Sequence, residues 1–352
     1  MSRAIVVAIV GVCAGGALAQ PSDFLLIPWG VGNPPTEGSG SIGMYSPQDG
    51  SYLGDIVPPD PDHIVFPNTA IIGPDRLIYL SDSVNDAVYR YDLHGNFVDQ
   101  FLGPADGLDN VRGLHFLDGD LLVANNPILG GGLIDRDNVA VLRFGFDGTP
   151  KTPFVAPGSD VSAWDIHQAP SGTLLINNVD DLPRYTSRYA TDGTPLGDIY
   201  QVGFPTQICD GHVPGSYYGL QFSGRVTVFT DNTVIRGFNL AGFANAGQGL
   251  YALGDGSLLA VNFNAGVYVH SATNGVRLRT IRTGFGLYGM AHLAHVCWAD
   301  LTNDGGLDFS DVLAFLEAFA SGASDADYAE PQGVFDFSDV LGFLGAFGKG
   351  CG

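Results

Sequence analysis

The chain has 352 residues, 37 acidic against 15 basic side chains and a formal net charge of −22. That balance excludes a duplex nucleic-acid binder, whose phosphate contacts need a basic surface. The 50 glycines follow no period of three, which excludes a collagen-like rod, and a hydrophobic content of 45% is enough to bury a core.

The first segment reads as an address. MSRAIVVAIVGVCAGGALAQ has a basic start at Arg3, an apolar run from Ala4 to about Val12, and Ala17-Leu18-Ala19 before Gln20. This is the pattern of a signal peptide over residues 1–19. Its apolar part is about half the ~20 residues of a membrane span. Export to the exterior, the cell surface or the periplasm is therefore expected, with no transmembrane segment after cleavage. Cys13 leaves with the leader, and disulfides become permissible for the rest. Cys297 and Cys351 bracket the last 55 residues and are paired on that ground. Cys209 is then read as a buried free thiol.

Residues 20–296 show little helical periodicity. Short apolar strands alternate with Gly, Asn, Asp and Pro, which argues for an all-β fold. A hairpin phrase recurs with tips at Gly50, Gly95, Gly148, Gly193, Gly242 and Gly275. The tips lie 33 to 53 residues apart and average 45, the length of one four-stranded propeller blade. A second phrase, an apolar strand ending in Asp or Asn, recurs at LIYLSD, LLVANN, LLINN, VTVFTDN and LLAVNFN. Inner strands precede it in RGLHF, WDIHQ and YGMAHL. These phrases resemble NHL-type and gluconolactonase-type propeller repeats. Six blades are expected, with YGMAHL lent to the first blade to close the ring.

Two sets of propeller residues are candidates for chemistry. Asp82, Asn125, Asn126, Asn177, Asn178, Asp231, Asn232, Asn262 and Asn264 are placed where second strands turn into third strands. Converging oxygens there could hold calcium, as the resemblance to gluconolactonase-like enzymes implies. The same residue types also cap tight turns on their own backbone, which is the favoured reading. His115 and His167 fall at equivalent inner-strand positions, with His292 one place further along and His212 in CDGHVPG. Imidazoles in a channel could act as acid and base, with a faint similarity to virginiamycin B lyase, a seven-bladed family. A hydrogen-bonded structural role is the competing reading.

The last segment, 297–352, contains an internal repeat. LDFSDVLAFLEAF at 307–319 and FDFSDVLGFLGAF at 335–347 agree at ten of thirteen positions. Val312, Phe315, Leu316 and Phe319, and likewise Val340, Phe343, Leu344 and Phe347, predict an apolar stripe on each of two helices, buried against each other. Before the first helix, DLTNDGGLDFSD matches a calcium loop, with Asp300, Thr302, Asp304, Asp308 and Asp311 as side-chain ligands. Gly305 permits the sharp turn, and Gly306 offers its carbonyl. The second loop is degraded. It spans thirteen residues, keeps Asp327, Asp336 and Asp339 with Glu330 as a further donor, and is broken by Ala329, Pro331 and Gln332.

Two loop–helix repeats with Asp at the twelfth position, running from Cys297-Trp298-Ala299-Asp300 to Gly350-Cys351, resemble a dockerin. They are similar to the dockerin-type C-terminal module of secreted planctomycete proteins. The resemblance implies calcium as cofactor and a polysaccharide-associated, cohesin-like or cell-surface docking partner. It assigns recognition to Phe309, Ser310, Phe337 and Ser338, whose competing reading for the phenylalanines is plain packing. The whole chain is thus expected to be a six-bladed β-propeller with a small helical calcium-loop domain. It is read as an exported monomer that binds or scaffolds, with a metal-dependent lactonase, hydrolase or lyase as the alternative.

Overall fold

The computed structural model describes residues 23–30, 40–129, 133–159, 161–178, 185–200, 204–231, 233–243, 246–284, 292–295, 298–302, 307–329 and 334–349. The chain divides into two compact units, one spanning Asp23–His295 and the other containing Val296–Gly352.

The first unit is a six-bladed β-propeller built from antiparallel sheets. Blade one holds β1 (Asp23–Trp29), β2 (Ser41–Tyr45) and β3 (Tyr52–Val57). Blade two is β4 (Pro67–Ile72), β5 (Ile78–Asp82), β6 (Ala87–Tyr91) and β7 (Phe97–Leu102). Blade three is β8 (Val111–Leu117), β9 (Asp120–Asn125) and, after a short hairpin of β10 (Ile128–Leu129) and β11 (Leu133–Ile134), β12 (Ala140–Gly145). Blade four is β13 (Ala163–Gln168), β14 (Leu174–Asn178), β15 (Tyr185–Tyr189) and β16 (Pro195–Tyr200). Blade five is β17 (Pro205–Asp210), β18 (Tyr217–Gln221), β19 (Arg225–Thr230) and β20 (Thr233–Asn239). Blade six is β21 (Gly247–Ala252), β22 (Ser257–Asn262), β23 (Gly266–Ser271) and β24 (Arg277–Thr283).

The ring closes as the sequence predicts. The last strand, β25 (His292–His295), becomes the inner strand of blade one and pairs antiparallel with β1, Leu26 opposite His292. Second strands such as β5, β9, β14 and β22 are buried at every residue. They are covered on both faces, which is why they read as unbroken apolar runs. Outer strands β20 and β24 are largely exposed.

Five of the six predicted tips stand between third strand and outer edge. Gly50, Gly95, Gly148, Gly193 and Gly275 have φ of 73° to 85° there, the left-handed region that tight turns require. Gly242 is the exception, because it lies in the connection from β20 to β21. In blade five the phrase VTVFTDN is the third strand, so Asp231 stands on the third-to-outer turn and not beside the other strand-end residues. The true second strand, YYGLQ, ends in Gln221 and carries no Asp or Asn to mark it. Blade three lacks a fourth strand among the described residues. Pro150 and Val155 make only single bridges to Phe144 and Val141, since prolines at 150 and 153 cannot donate to a ladder.

A further regularity concerns the inner strands. In β4, β8, β13, β17 and β21 one extra residue is inserted near the start of the strand against its neighbour. The inserted positions are Asn68, Arg112–Gly113, Trp164, Thr206 and Gln248. A bulge repeated at one register re-aims a side chain from each blade at the same level of the channel.

The second unit holds α1 (Phe309–Ser321) and α2 (Phe337–Lys349). The rings of Phe315 and Phe343 stack at 4.2 Å with an interplanar angle of 7°. Ala299 and Ala326 complete the fully buried core, with Val312, Phe319, Val340 and Phe347 packed against it. Leu316 and Leu344 depart from the expected stripe, being 52% and 50% exposed. They share a second helical face with Phe309 and Leu313, and with Phe337 and Leu341, at spacing i, i+4, i+7. Asp308 caps α1 by accepting the Ser310 N–H, and Gly322 ends it in the left-handed conformation. Among the described residues, no helix is long and apolar enough to cross a membrane.

Candidate functional site

Inner strands run toward one mouth of the propeller, and second strands run back from it. At that mouth a cavity of about 540 Å³ is lined by His115, His167 and His212, together with Gln168, Asp210 and Tyr251. His115 and His167 occupy one register. Their partners, Leu122 and Leu175, each lie three residues before the end of the second strand. Ile71, Cys209 and Tyr251 fill the same register in blades two, five and six. His292 is placed by its backbone opposite Leu26.

The three histidines are held differently. Burial lowers the pKa of His115 to about 4; a hydrogen bond to Gln168 opposes this, and the charge of His167 adds to it. His115 is therefore a neutral imidazole at physiological pH, and its Nε2 is buried without a partner. His167 Nε2 meets Asp210 Oδ1 at 3.0 Å. His212 is locked: Nε2 lies 3.0 Å from the Leu253 carbonyl and Nδ1 lies 3.0 Å from the Tyr218 hydroxyl. A carbonyl only accepts, so Nε2 donates, and both ring nitrogens are committed. Behind this layer, burial raises the pKa of Asp165 to about 6 against the Ile208 N–H, which donates to Oδ2 at 2.9 Å. Cys209 is a buried free thiol whose pKa burial pushes up. Gln168 and Asp210 were not singled out by the sequence. Asp210 was legible only as the residue after Cys209 in CDGHVPG.

The strand-end oxygens at the opposite mouth cap turns. Asp82 accepts four backbone N–H groups, those of Val65 and Phe66 at 2.7 and 2.6 Å and those of Val84 and Asn85 at 3.1 and 3.0 Å. Asn125 Oδ1 accepts from Asp109 N, and Asn178 Oδ1 accepts from Ser162 N. Asn262 Oδ1 accepts from Asn264 N, Asn126 Oδ1 from the Ser162 hydroxyl, and Asn177 Oδ1 from the Thr186 hydroxyl. Asp82 and Asn262 thus cap their own turns, as the favoured sequence reading has it, whereas Asn125, Asn126, Asn177 and Asn178 bond groups on other segments and tie those segments together. Asn232 lies outside the described residues.

In the second unit the carboxylates that close the two loops, Asp311 and Asp339, are fully buried and act alike. Asp311 Oδ1 accepts from the backbone N–H and hydroxyl of Thr302, while Oδ2 accepts from Asp308 N. Asp339 Oδ1 accepts from Tyr328 N and Ala329 N, and Oδ2 from Asp336 N. The Thr302 hydroxyl lies 2.9 Å from Asp311 Oδ1 and 3.5 Å from Asp300 Oδ1, so oxygens of both loop ends converge on it. Among the described residues, no three His, Cys, Asp or Glu side chains are grouped closely enough to hold a metal ion. Asp304, Gly306, Glu330, Cys297 and Cys351 lie outside the described residues. Phe309 and Phe337 are 70% and 69% exposed, so plain packing does not account for them.

No protein-family profile and no curated protein sequence matches the chain. Solved structures do. A chain in the crystal structure of a nidogen–laminin complex is 13% identical, with a TM-score of 0.57, covering 77% of this chain and 97% of that one. A protein of unknown function from Bacteroides caccae is 14% identical with a TM-score of 0.54, covering 77% and 98%. A gluconolactonase from Xanthomonas campestris is 16% identical with a TM-score of 0.51, covering 78% and 90%. At these identities the likeness is one of fold. The class defined is a six-bladed β-propeller followed by a two-helix unit.

Proposed function

We propose that this is an exported protein whose propeller binds a ligand and whose C-terminal unit is a calcium-dependent, dockerin-like docking module. One observation carries the binding reading: the Asp and Asn oxygens at the strand ends are committed to backbone N–H groups and neighbouring hydroxyls. Such a set rigidifies a rim, and a structural role for these oxygens favours binding over metal-dependent catalysis.

For the docking module, Asp300, Thr302, Asp308 and Asp311 supply the hard oxygen donors that calcium takes, and Asp304 and Gly306 complete the spacing in the sequence. When bound, the ion would neutralise the repulsion among these carboxylates and tie the loop to the start of α1. The exposed apolar set Phe309, Leu313 and Leu316, repeated as Phe337, Leu341 and Leu344, supports a docking partner with an apolar face. The leader and the Cys297–Cys351 pair belong to the same reading.

A second reading rests on the cavity histidines. His115, held neutral by burial, and His167, whose Nε2 lies 3.0 Å from the Asp210 carboxylate, place two imidazoles with different partners in one cavity, where acid–base lyase or hydrolase chemistry would need them. Purified protein separates the two. The binding reading expects no ester or lactone hydrolysis that chelation removes, and none that His115→Gln or His167→Gln abolishes. An activity lost in either way establishes the catalytic reading in its place.

A further inference from the structure

At the mouth opposite the histidine cavity, the repeated bulges gather an unusual set. Arg112 is 9% exposed, and burial lowers its pKa to about 10. Its Nη1 donates to Asn68 Oδ1 at 2.9 Å and its Nη2 to Asn110 Oδ1 at 2.5 Å, while Nε is buried without a partner. Among the described residues, no carboxylate pairs with it. Burying a guanidinium without a counter-charge costs several kcal/mol, in a chain with 37 acids to choose from. Asparagine, the neutral isostere of aspartate, stands at both positions where a carboxylate would have cancelled the charge. Asp86, close by, is committed to the Asn110 backbone N–H at 2.6 Å.

Around this cation the rings form an arc. Trp164 lies 4.1 Å from the guanidinium carbon and Phe66 lies 5.9 Å from it. Trp164 meets Phe204 at 5.3 Å, Phe204 meets Phe222 at 5.8 Å, and Phe66 meets Phe263 at 6.4 Å. All five rings are half-buried, with surface left to offer. The closeness of blade four is built in. A methyl at Gly113 would stand 3.0 to 3.2 Å from the backbone of Asp165, Trp164 and Ile166, so the missing side chain lets β8 lie close against the strand that carries Trp164.

We infer that this mouth is a binding site for an organic monoanion, a carboxylate carried on a ring whose apolar face lies on the aromatic arc while the carboxylate pairs with Arg112. A single guanidinium flanked by neutral amides matches one negative charge better than a dianion, since the rest of the unit is acidic. The inference names the ligand class of the binding propeller and so rests on that reading.

The test uses the full chain, with sodium benzoate and galacturonate as anionic probes and benzamide and galactose as their neutral counterparts. Thermal midpoint and tryptophan fluorescence are followed as each is titrated to millimolar concentration. The site predicts that at least one anion raises the midpoint and changes the fluorescence, at least tenfold more effectively than its neutral counterpart. Arg112→Gln should abolish the response. Asn68→Asp should weaken it at least tenfold while leaving the unliganded midpoint equal or higher, because the new carboxylate occupies the guanidinium from within. That variant keeps the test decisive if Arg112→Gln fails to fold. No response to either anion, equal response to the neutral probes, or wild-type response in Asn68→Asp overturns the anion site. A response to galactose alone removes the anion site but leaves the binding reading standing. Silence with every probe, together with a hydrolytic activity lost in His167→Gln, removes both.

Discussion

His115 is where a single side chain sets a property of the whole fold. Its folded pKa of about 4 lies below the ordinary histidine value of about 6.5. Between these values the unfolded chain binds the proton and the native chain does not. Stability therefore falls as pH drops from about 6.5 to about 4, and levels off below. The loss attributable to this group is on the order of 3 kcal/mol. Denaturant melts of wild type and His115→Gln across pH 4–7 should differ in slope, the variant being flatter in that window. Equal slopes would mean that His115 is solvated in the native state. His115 and His167 were legible as histidines at equivalent inner-strand positions, and His212 only as a histidine in CDGHVPG. Their different roles were not, because Leu253 and Tyr218, which lock His212, come from other strands and turns.

Elements show the same division. Strand runs, glycine tips and the lent last strand follow from local chemistry, so the six blades could be read from the chain. Blade five escaped because YYGLQ lacks the terminal Asp or Asn that marks its siblings, which shifted VTVFTDN, and with it Asp231, by one strand. The inner-strand bulges were invisible for another reason. An inserted residue changes the register between strands and leaves the apolar pattern of each strand intact. Arg112, a lone cation in VRGLHF, was the available signal. The bulge at Gly113 makes a direct prediction. Gly113→Ala should destabilise the fold by about 1–3 kcal/mol, because the methyl meets the backbone of blade four and no flexible side chain can yield. A shift of the urea midpoint within error would show that the blades are less tightly apposed.

On the scale of the whole molecule, the acidity is unevenly divided. Residues 297–352 carry ten acids against Lys349, while the rest of the chain after residue 19 carries 27 acids against 13 basic residues. The second unit concentrates negative charge around two loops and hangs its stability on few apolar contacts. Phe315→Ala, which removes one half of the stacked pair, should cost about 3–5 kcal/mol in that unit. Phe309→Ser, at an exposed position, should change stability by no more than about 0.5 kcal/mol. Melts of the two variants check this, and similar losses in both would mean that Phe309 is covered in solution.

Calcium calorimetry on the full chain tests both halves of the proposed function, a C-terminal module that takes calcium and a propeller that needs none. The predicted result is binding that is lost or weakened at least tenfold in Asp300→Ala and Asp304→Ala, and retained in Asp82→Asn and Asn178→Ala. Calcium binding that survives both loop substitutions and disappears with the propeller substitutions would contradict it.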